Sequence, residues 1–430
     1  MQTLRVSADR RHIEQADGSR FYFLGDTAWE LFHKLNREEA AWYLRTRAEQ
    51  GYNMIQAVVL AELDGLGTAN AYGRFPLKKT DGVFDLTKPD TDGEYSYFDH
   101  VEYIVSLAEE LGLYIGMLPT WGDKWNRIWG VGPEIFTPEN ARIYGEWLAK
   151  RFAHHDNLLW ILGGDRPVST EGHRAVLDAL AEGLHAGDGG KFLKTLHPSG
   201  ASSSSAYVHD APWLDFNMMQ SGHGFPSPAC FDMMAADYAR VPTKPVMDGE
   251  PCYEDHPINF KTENDYYDAY NVRLAAYRNL FSGACGNTYG HHAVWQFRRE
   301  DETDDYCPCP WTAALHRPGA VKLHIYRDFI RDNDLTAFRP VYDAVTPNPH
   351  DTNYVAAMVS DTVAYLYIPA GAPVHLNREA IGFTPGQIVT FSPEDGTYSE
   401  QTAKLLPDGK LYFPGRAAGR YMDIVVILKA

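Results

Sequence analysis

Positive charge is what this sequence most lacks. Its 39 lysines and arginines face 57 aspartates and glutamates, a net charge of −18. Nucleic acids and anionic membrane surfaces are bound by basic protein surfaces, so neither is expected as a partner. Long apolar runs are missing too, and no segment approaches the roughly 20 residues needed to span a bilayer. The opening Met1-Gln-Thr-Leu-Arg-Val has no apolar core of the kind a secretory signal carries. Cysteine is scarce: Cys230, Cys252, Cys285, Cys307 and Cys309 are scattered and odd in number, which speaks against a disulfide framework. Together these features point to a bacterial-type cytoplasmic protein, unless a leader has been trimmed. There is no glycine-rich phosphate loop of Walker or dinucleotide type, and no cofactor is expected.

What is abundant is aromatic. The chain has 26 Tyr and 10 Trp, which serve either as core filling or as flat amphipathic surfaces for sugar rings. Short apolar runs alternate with helical patterns eight times. The strands are read at Phe21–Gly25, Met54–Leu60, Leu113–Leu118, Leu158–Leu162, Phe192–Leu196, Leu214–Met219, Val246–Asp248 and Cys285–Tyr289. Asn36 with Glu39 has capping-box spacing, Gly51 ends that helix, and Thr137-Pro138 opens another. A Ser-rich run, Ser199 to Ser205, leaves the fifth helix weak or absent. Residues 61–95 read as a long loop rich in Gly, Asp and Tyr.

This alternation predicts a (β/α)8 barrel over residues 1–340, with a short N-terminal β lead-in around the Asp17-Gly18 turn. After Pro340 the texture changes to alternating runs such as Val363-Ala-Tyr-Leu-Tyr-Ile, separated by Asp-Gly turns. That pattern predicts an all-β sandwich over 341–430, structural rather than sugar-reading.

Barrel enzymes place their chemistry at the C-terminal ends of the strands. Leu158-Leu-Trp-Ile-Leu-Gly-Gly-Asp165-Arg-Pro and Val246-Met-Asp-Gly-Glu250-Pro each carry an apolar run to a carboxylate at such an end. Strands four and seven are nearly opposite in an eight-strand ring, so Asp165 and Glu250 can flank one bond. Two carboxyls, one holding a proton and one ionised, are what glycosidic cleavage requires. Asp26, Trp121, His197, Gln220 and Tyr289 also fall at strand ends. Trp29, Trp125, His223, His292 and Trp295 follow shortly after, and this whole set is expected to contact substrate. Metal binding is the rival chemistry, but His154-His155, His291-His292 and Cys307-Pro-Cys309 lack zinc-type spacing with a second matching pair, so no metal is expected. His154-His155 is read instead as a helix-end pair favoured by the helix dipole.

Five motifs carry a closer likeness: Phe23-Leu-Gly-Asp-Thr-Ala-Trp29, Trp160-Ile-Leu-Gly-Gly-Asp-Arg-Pro167, His197-Pro-Ser-Gly200, Trp213-Leu-Asp-Phe-Asn-Met-Met-Gln-Ser-Gly-His223 and Thr288-Tyr-Gly-His-His-Ala-Val-Trp-Gln-Phe297. In order and over essentially the whole chain, the sequence resembles glycoside hydrolase family 140, the apiosidases. The resemblance implies a barrel followed by a β-sandwich, with Asp165 as acid/base and Glu250 as nucleophile. It also implies release of apiose from plant glycans such as rhamnogalacturonan-II. Gly164 and Asp165 stand where most of the wider clan carries Asn-Glu, so the acid is one methylene shorter. The expected activity is an exo-acting, retaining β-apiosidase. Alternatives are a barrel glycosidase for another furanoside or a β-glucan, or a carbohydrate-binding protein without turnover. The oligomeric state is left open by the sequence.

Overall fold

The computed structural model describes residues 1–224, 229–304 and 306–430. Eight parallel strands form the barrel: β1 (Phe23–Thr27), β2 (Met54–Val58), β3 (Tyr114–Leu118), β4 (Leu158–Gly163), β5 (Lys194–His197), β6 (Asn217–Gln220), β7 (Val246–Asp248) and β8 (Gly286–Tyr289). Hydrogen-bonded pairing runs from β5 back through β1 to β8, β7 and β6, and a two-residue strand, Ser202–Ser203, adds antiparallel to β6. The remaining seam is bridged by the Asp215 amide donating to Lys194 O (2.9 Å) and by Thr195 Oγ1 donating to Phe216 O (2.7 Å).

Helices cover the barrel: α1 (Arg37–Gln50), α2 (Tyr97–Glu110), α3 (Pro138–Phe152), α4 (Glu171–Asp188), α5 (Ser205–Val208), α6 (Ala229–Tyr238), α7 (Ala269–Phe281) and α8 (Leu323–Asp332). The capping signals act as read. Asn36 and Glu39 cap α1 reciprocally and Gly51 ends it in a left-handed conformation, while Thr137 caps α3 with Pro138 in the first turn. The Ser-rich run leaves α5 a single turn. The segment read as a plain loop after β2 holds a hairpin, Leu77–Thr80 paired with Val83–Pro89. Its strands are half exposed and charged, so they carry little apolar alternation to read.

Inside the barrel, Phe23, Met54, Leu159, Ile161, Phe216, Met218 and Met247 form one packed column. An N-terminal three-stranded sheet, Leu4–Val6, Ile13–Gln15 and Arg20–Phe21, contributes Leu4, Ile13 and Phe21 to it, and Trp29 and Trp121 belong to the same column.

The C-terminal residues form a six-stranded and a three-stranded antiparallel sheet. Strand periodicity explains how the larger sheet serves two cores. Along Val363–Ile368, Tyr365 and Tyr367 pack with α7 and α8, and Tyr277 of α7 stacks on Tyr367 (5.3 Å between rings). Ala364, Leu366 and Ile368 face the other way, joining Leu411 and Phe413 in a separate apolar core. A buried ion pair fixes this junction: Arg273 of α7 grips Asp423 with two bonds of 2.8 Å. Among the described residues no helix is long and apolar enough to cross a membrane.

Candidate active site

At the C-terminal end of the barrel lies a cleft of about 840 Å³. Its lining includes both carboxylates, Asp165 and Glu250, with Trp29, Trp121, Trp129 and Trp295 among the aromatics.

Asp165 reaches the cleft through an unusual backbone. Gly163, Gly164 and Asp165 all have positive φ, at 93°, 101° and 54°. Only glycine holds the first two at no steric cost. Space demands glycine as well, because a Cβ at 163 would lie 2.5 Å from His197 O and one at 164 would lie 2.7 Å from the Gly122 nitrogen. The chain therefore turns sharply off β4 and presses against the loop after β3, where the Gly122 amide donates to Gly164 O (3.0 Å).

The two oxygens of Asp165 are not equivalent. Oδ2 accepts from Trp129 Nε1 at 3.0 Å and faces Arg166 Nη1 at 3.4 Å. Arg166 is itself fixed by the carbonyls of Asn126 (3.1 Å) and Trp129 and lies under the Trp129 ring at 4.2 Å. Burial, then the negative charge of Glu250, pushes the Asp165 carboxyl up to about 6, against the opposing pull of His197, Arg166 and Trp129. With Oδ2 occupied as an acceptor, the proton belongs on Oδ1.

Glu250 has the opposite environment. Burial alone would raise it, but His197 and His223 more than reverse that and hold the carboxyl well below the usual range. His223 Nε2 donates to Oε1 at 3.1 Å. His197 Nε2 lies 3.0 Å from Oε2. His197 touches both halves of the pair. Its Nδ1 sits 3.3 Å from the Asp165 amide and 3.0 Å from Pro198 O. A neutral ring with its proton on Nε2 accepts from that amide, and an imidazolium donates to Pro198 O instead. Trp29 (5.3 Å, edge-on) and Trp121 (6.0 Å) flank the ring. The strand-end glycine before Glu250 is steadied by Gln56 Nε2, which donates to Gly249 O at 2.7 Å.

One carboxyl raised to about 6 thus shares a cleft with one that is kept ionised. The pattern that matches residues 7–337 is that of apiosidase-like catalytic domains. The chain belongs to the apiosidase-like family. A solved structure described as a glycoside hydrolase superposes on it with a TM-score of 0.87 and 29% identity, covering 100% of this chain and 97% of its own. A family 5 glycoside hydrolase from Bacteroides vulgatus gives a TM-score of 0.87 and 27% identity, covering 99% and 93%. No curated protein matches the sequence. The apiosidase-like chain is a glycoside hydrolase, and its substrate is carbohydrate.

Not every residue expected to contact substrate reaches the apiosidase-like cleft. Trp29, Trp121, Gln220, His223, His292 and Trp295 line it. Asp26 does not. Its strand alternates in and out, so Asp26 points outward, fully buried, to Arg47 Nε (2.6 Å) and the Tyr43 hydroxyl (2.5 Å). Tyr289 fails for the same reason. Its neighbour Thr288 points inward and accepts from Gln56 (3.2 Å), so Tyr289 turns outward to donate to Glu254 (2.7 Å). There it lines a cavity of only about 30 Å³ between α7, α8 and Pro393. Trp125 is buried in the helical layer, where its indole donates to Gly163 O (3.1 Å) and so supports the turn that carries Asp165. His197 is buried beneath the carboxylates as a positioning group rather than on the substrate surface.

The histidine and cysteine groups outside the cleft have protein partners. His155 lies between Glu109 and Glu102 at 2.7 Å each, so ion pairing rather than the helix dipole accounts for it. Asp255, His291 and Cys307 bring three ligand-type atoms within 4.8 Å of one another, and Arg317 already occupies the other Asp255 oxygen at 2.7 Å.

Sequence reasoning missed Glu62, Tyr253, His256, Phe260 and Tyr306 in the lining, and did not place Trp129 there. Glu62 follows Leu60-Ala61 at the end of the second apolar run, so the strand-end rule applied to every strand would have reached it.

Proposed function

We propose that this chain is an exo-acting β-apiosidase of glycoside hydrolase family 140, releasing apiose from plant pectin side chains or small apiosides with retention of configuration. One observation carries the reading of the chemistry: two carboxyls in one cleft have opposite proton affinities, imposed by different partners. Membership of the apiosidase-like family supports the choice of sugar.

In this reading Asp165 Oδ1–H protonates the departing glycosidic oxygen while Glu250, steadied by His223 and His197, attacks the anomeric carbon. The bond to the aglycone breaks as the glycosyl ester forms. Asp165, now ionised, takes a proton from water, which attacks the anomeric carbon, breaks its bond to Glu250 and returns Glu250 as a carboxylate. Retention needs the backbone to bring the shorter aspartate close to Glu250, and the left-handed turn at Gly163-Gly164 is the feature that could supply it. Trp29 and Trp121 supply flat surface beneath the sugar.

The substrate is tested by offering aryl apiosides, arabinofuranosides and glucosides and measuring released sugar. Preferential release of apiose supports the reading, and faster turnover of either other class replaces the sugar. NMR of the first-formed anomer tests the mechanism, since an inverted product would recast Glu250 as a base. The acid role of Asp165 is tested separately. Asp165→Asn is expected to lose far more activity on natural leaving groups than on a nitrophenyl glycoside, which needs little protonation. Equal losses would remove the acid role.

A further inference from the structure

Glu62 is a third carboxyl in the cleft, beside Trp29, Trp121, Asp165 and Glu250. The mechanism above assigns it nothing. It also differs from three fully buried carboxylates with structural partners, each held by two groups. Asp26 has Arg47 and Tyr43, Asp123 has Lys124 and the Gly132 amide, and Glu254 has Tyr289 and the Gly319 amide. The Glu62 side chain makes no hydrogen bond among the described residues, although its own loop is well anchored. Lys124 Nζ donates to Ala61 O (2.6 Å) and the Leu63 amide to Glu30 Oε1 (3.4 Å). A carboxyl with donor and acceptor capacity, placed in a sugar-sized cleft and left without a partner, is open to a ligand's hydroxyls.

We propose that Glu62 determines sugar specificity: its neutral carboxylic acid donates to one hydroxyl of the sugar in the cleavage pocket and accepts from another. This rests on the hydrolase reading and adds a residue to it. The charges around Glu62 favour that state. Burial first, then the negative charges of Glu30, Asp165, Asp123 and Glu250, hold its carboxyl well above the usual range. The cations nearby are committed elsewhere. Lys124 pairs with Asp123 at 2.7 Å, and Arg166 donates its hydrogen bonds to three backbone carbonyls and to Asp165 Oδ2, so that its charge acts on Glu62 only at a distance and as a lesser effect. A furanose with vicinal hydroxyls and a hydroxymethyl arm offers both an acceptor and a donor to such an acid.

The test is the pH dependence of kcat/KM on an aryl apioside for the wild type, Glu62→Gln and Glu62→Leu, with thermal melts to establish folding. Gln keeps one donor and one acceptor without charge, and should fall by no more than about tenfold, while Leu should lose on the order of 100-fold. The wild type should lose a similar factor on a glycoside lacking the contacted hydroxyl, and Leu should lose little more on that substrate. If Glu62 is neutral while Asp165 titrates, as the proposal requires, Gln should leave the basic limb of the profile in place. A downward shift of that limb in Gln would mean that position 62 carries a negative charge there, and would overturn the proposal. So would Leu activity within about threefold of wild type, or a Gln loss as large as a folded Leu variant's. No turnover of any glycoside by the wild type would sink the hydrolase reading and this inference with it. Turnover indifferent to position 62 would sink this inference alone.

Discussion

The indole of Trp129 offers the most direct handle on Asp165, the proposed acid. Its N–H donates to Asp165 Oδ2 at 3.0 Å, and a donor on that oxygen stabilises the ionised carboxyl. Trp129→Phe removes the donor and keeps a ring over Arg166. The sign follows: losing a bond to the charged form raises the proton affinity of Asp165, so the basic limb of kcat/KM moves to higher pH. A hydrogen bond to a charged group is worth about 1.5–3 kcal/mol when well buried. Trp129 is 45% exposed, so water takes over part of the indole's role, and a third of that range, about 0.5–1 kcal/mol, is the working figure. At 1.36 kcal/mol per pH unit this is an upward shift of about 0.4–0.7 unit, from a limb set by a carboxyl near 6. The assay is a pH series of kcat/KM on an aryl glycoside, with melting curves to establish folding. A limb that stays put or moves down would refute both the bond's role and the choice of Oδ1 as the proton carrier.

Other outcomes follow from the same geometry. Glu250→Gln should lower kcat by on the order of 10⁵-fold with little change in melting temperature; retained turnover would remove it as nucleophile. Gly164→Ala forces a side chain onto φ 101° and a Cβ to 2.7 Å from the Gly122 nitrogen, so it should cost about 1–3 kcal/mol in denaturant melts and reduce kcat/KM more than KM alone explains. Arg273→Met leaves Asp423 buried without its two 2.8 Å bonds and should cost about 3–5 kcal/mol in the same melts. Truncation after Pro340 strips the cover from Tyr277, Phe281 and Phe329 and should give insoluble barrel on expression; a soluble, active fragment would show that the cover is dispensable.

Much of the architecture was legible because it is written locally. The capping residues at Asn36, Glu39 and Thr137 act through their own first turns, and the apolar runs of β2, β3 and β4 are buried on both faces, so their hydrophobicity is continuous. The placement of Asp165 and Glu250 in one cleft was legible for a related reason: strand ends of a barrel converge whatever the loops do. Orientation was harder. Asp26 and Tyr289 sit at strand ends, but pairing across the sheet sets which way a strand-end side chain points, and in both cases a one-residue difference separates cleft from helical layer. Trp125 was lost to tertiary burial, because nothing in Trp-Gly-Asp-Lys-Trp says which ring the loop folds under. Glu62 was passed over because the long segment after β2 has no periodicity of its own, and so its first two residues were not read as the end of a strand.

The three cleft carboxyls show how one acidic site supports ordered chemistry. At an effective dielectric of about 20, two like charges about 5 Å apart repel by about 3 kcal/mol, so a desolvated cleft with three carboxyls does not ionise all of them near neutral pH. Which one gives up its charge is decided by partners rather than by residue type. Two imidazoles reserve the negative charge for Glu250. One indole and one guanidinium, both on the same oxygen, leave Asp165 poised. Glu62, with no hydrogen-bond partner among the described residues, is held above the usual carboxylate range by burial and by the neighbouring carboxylates.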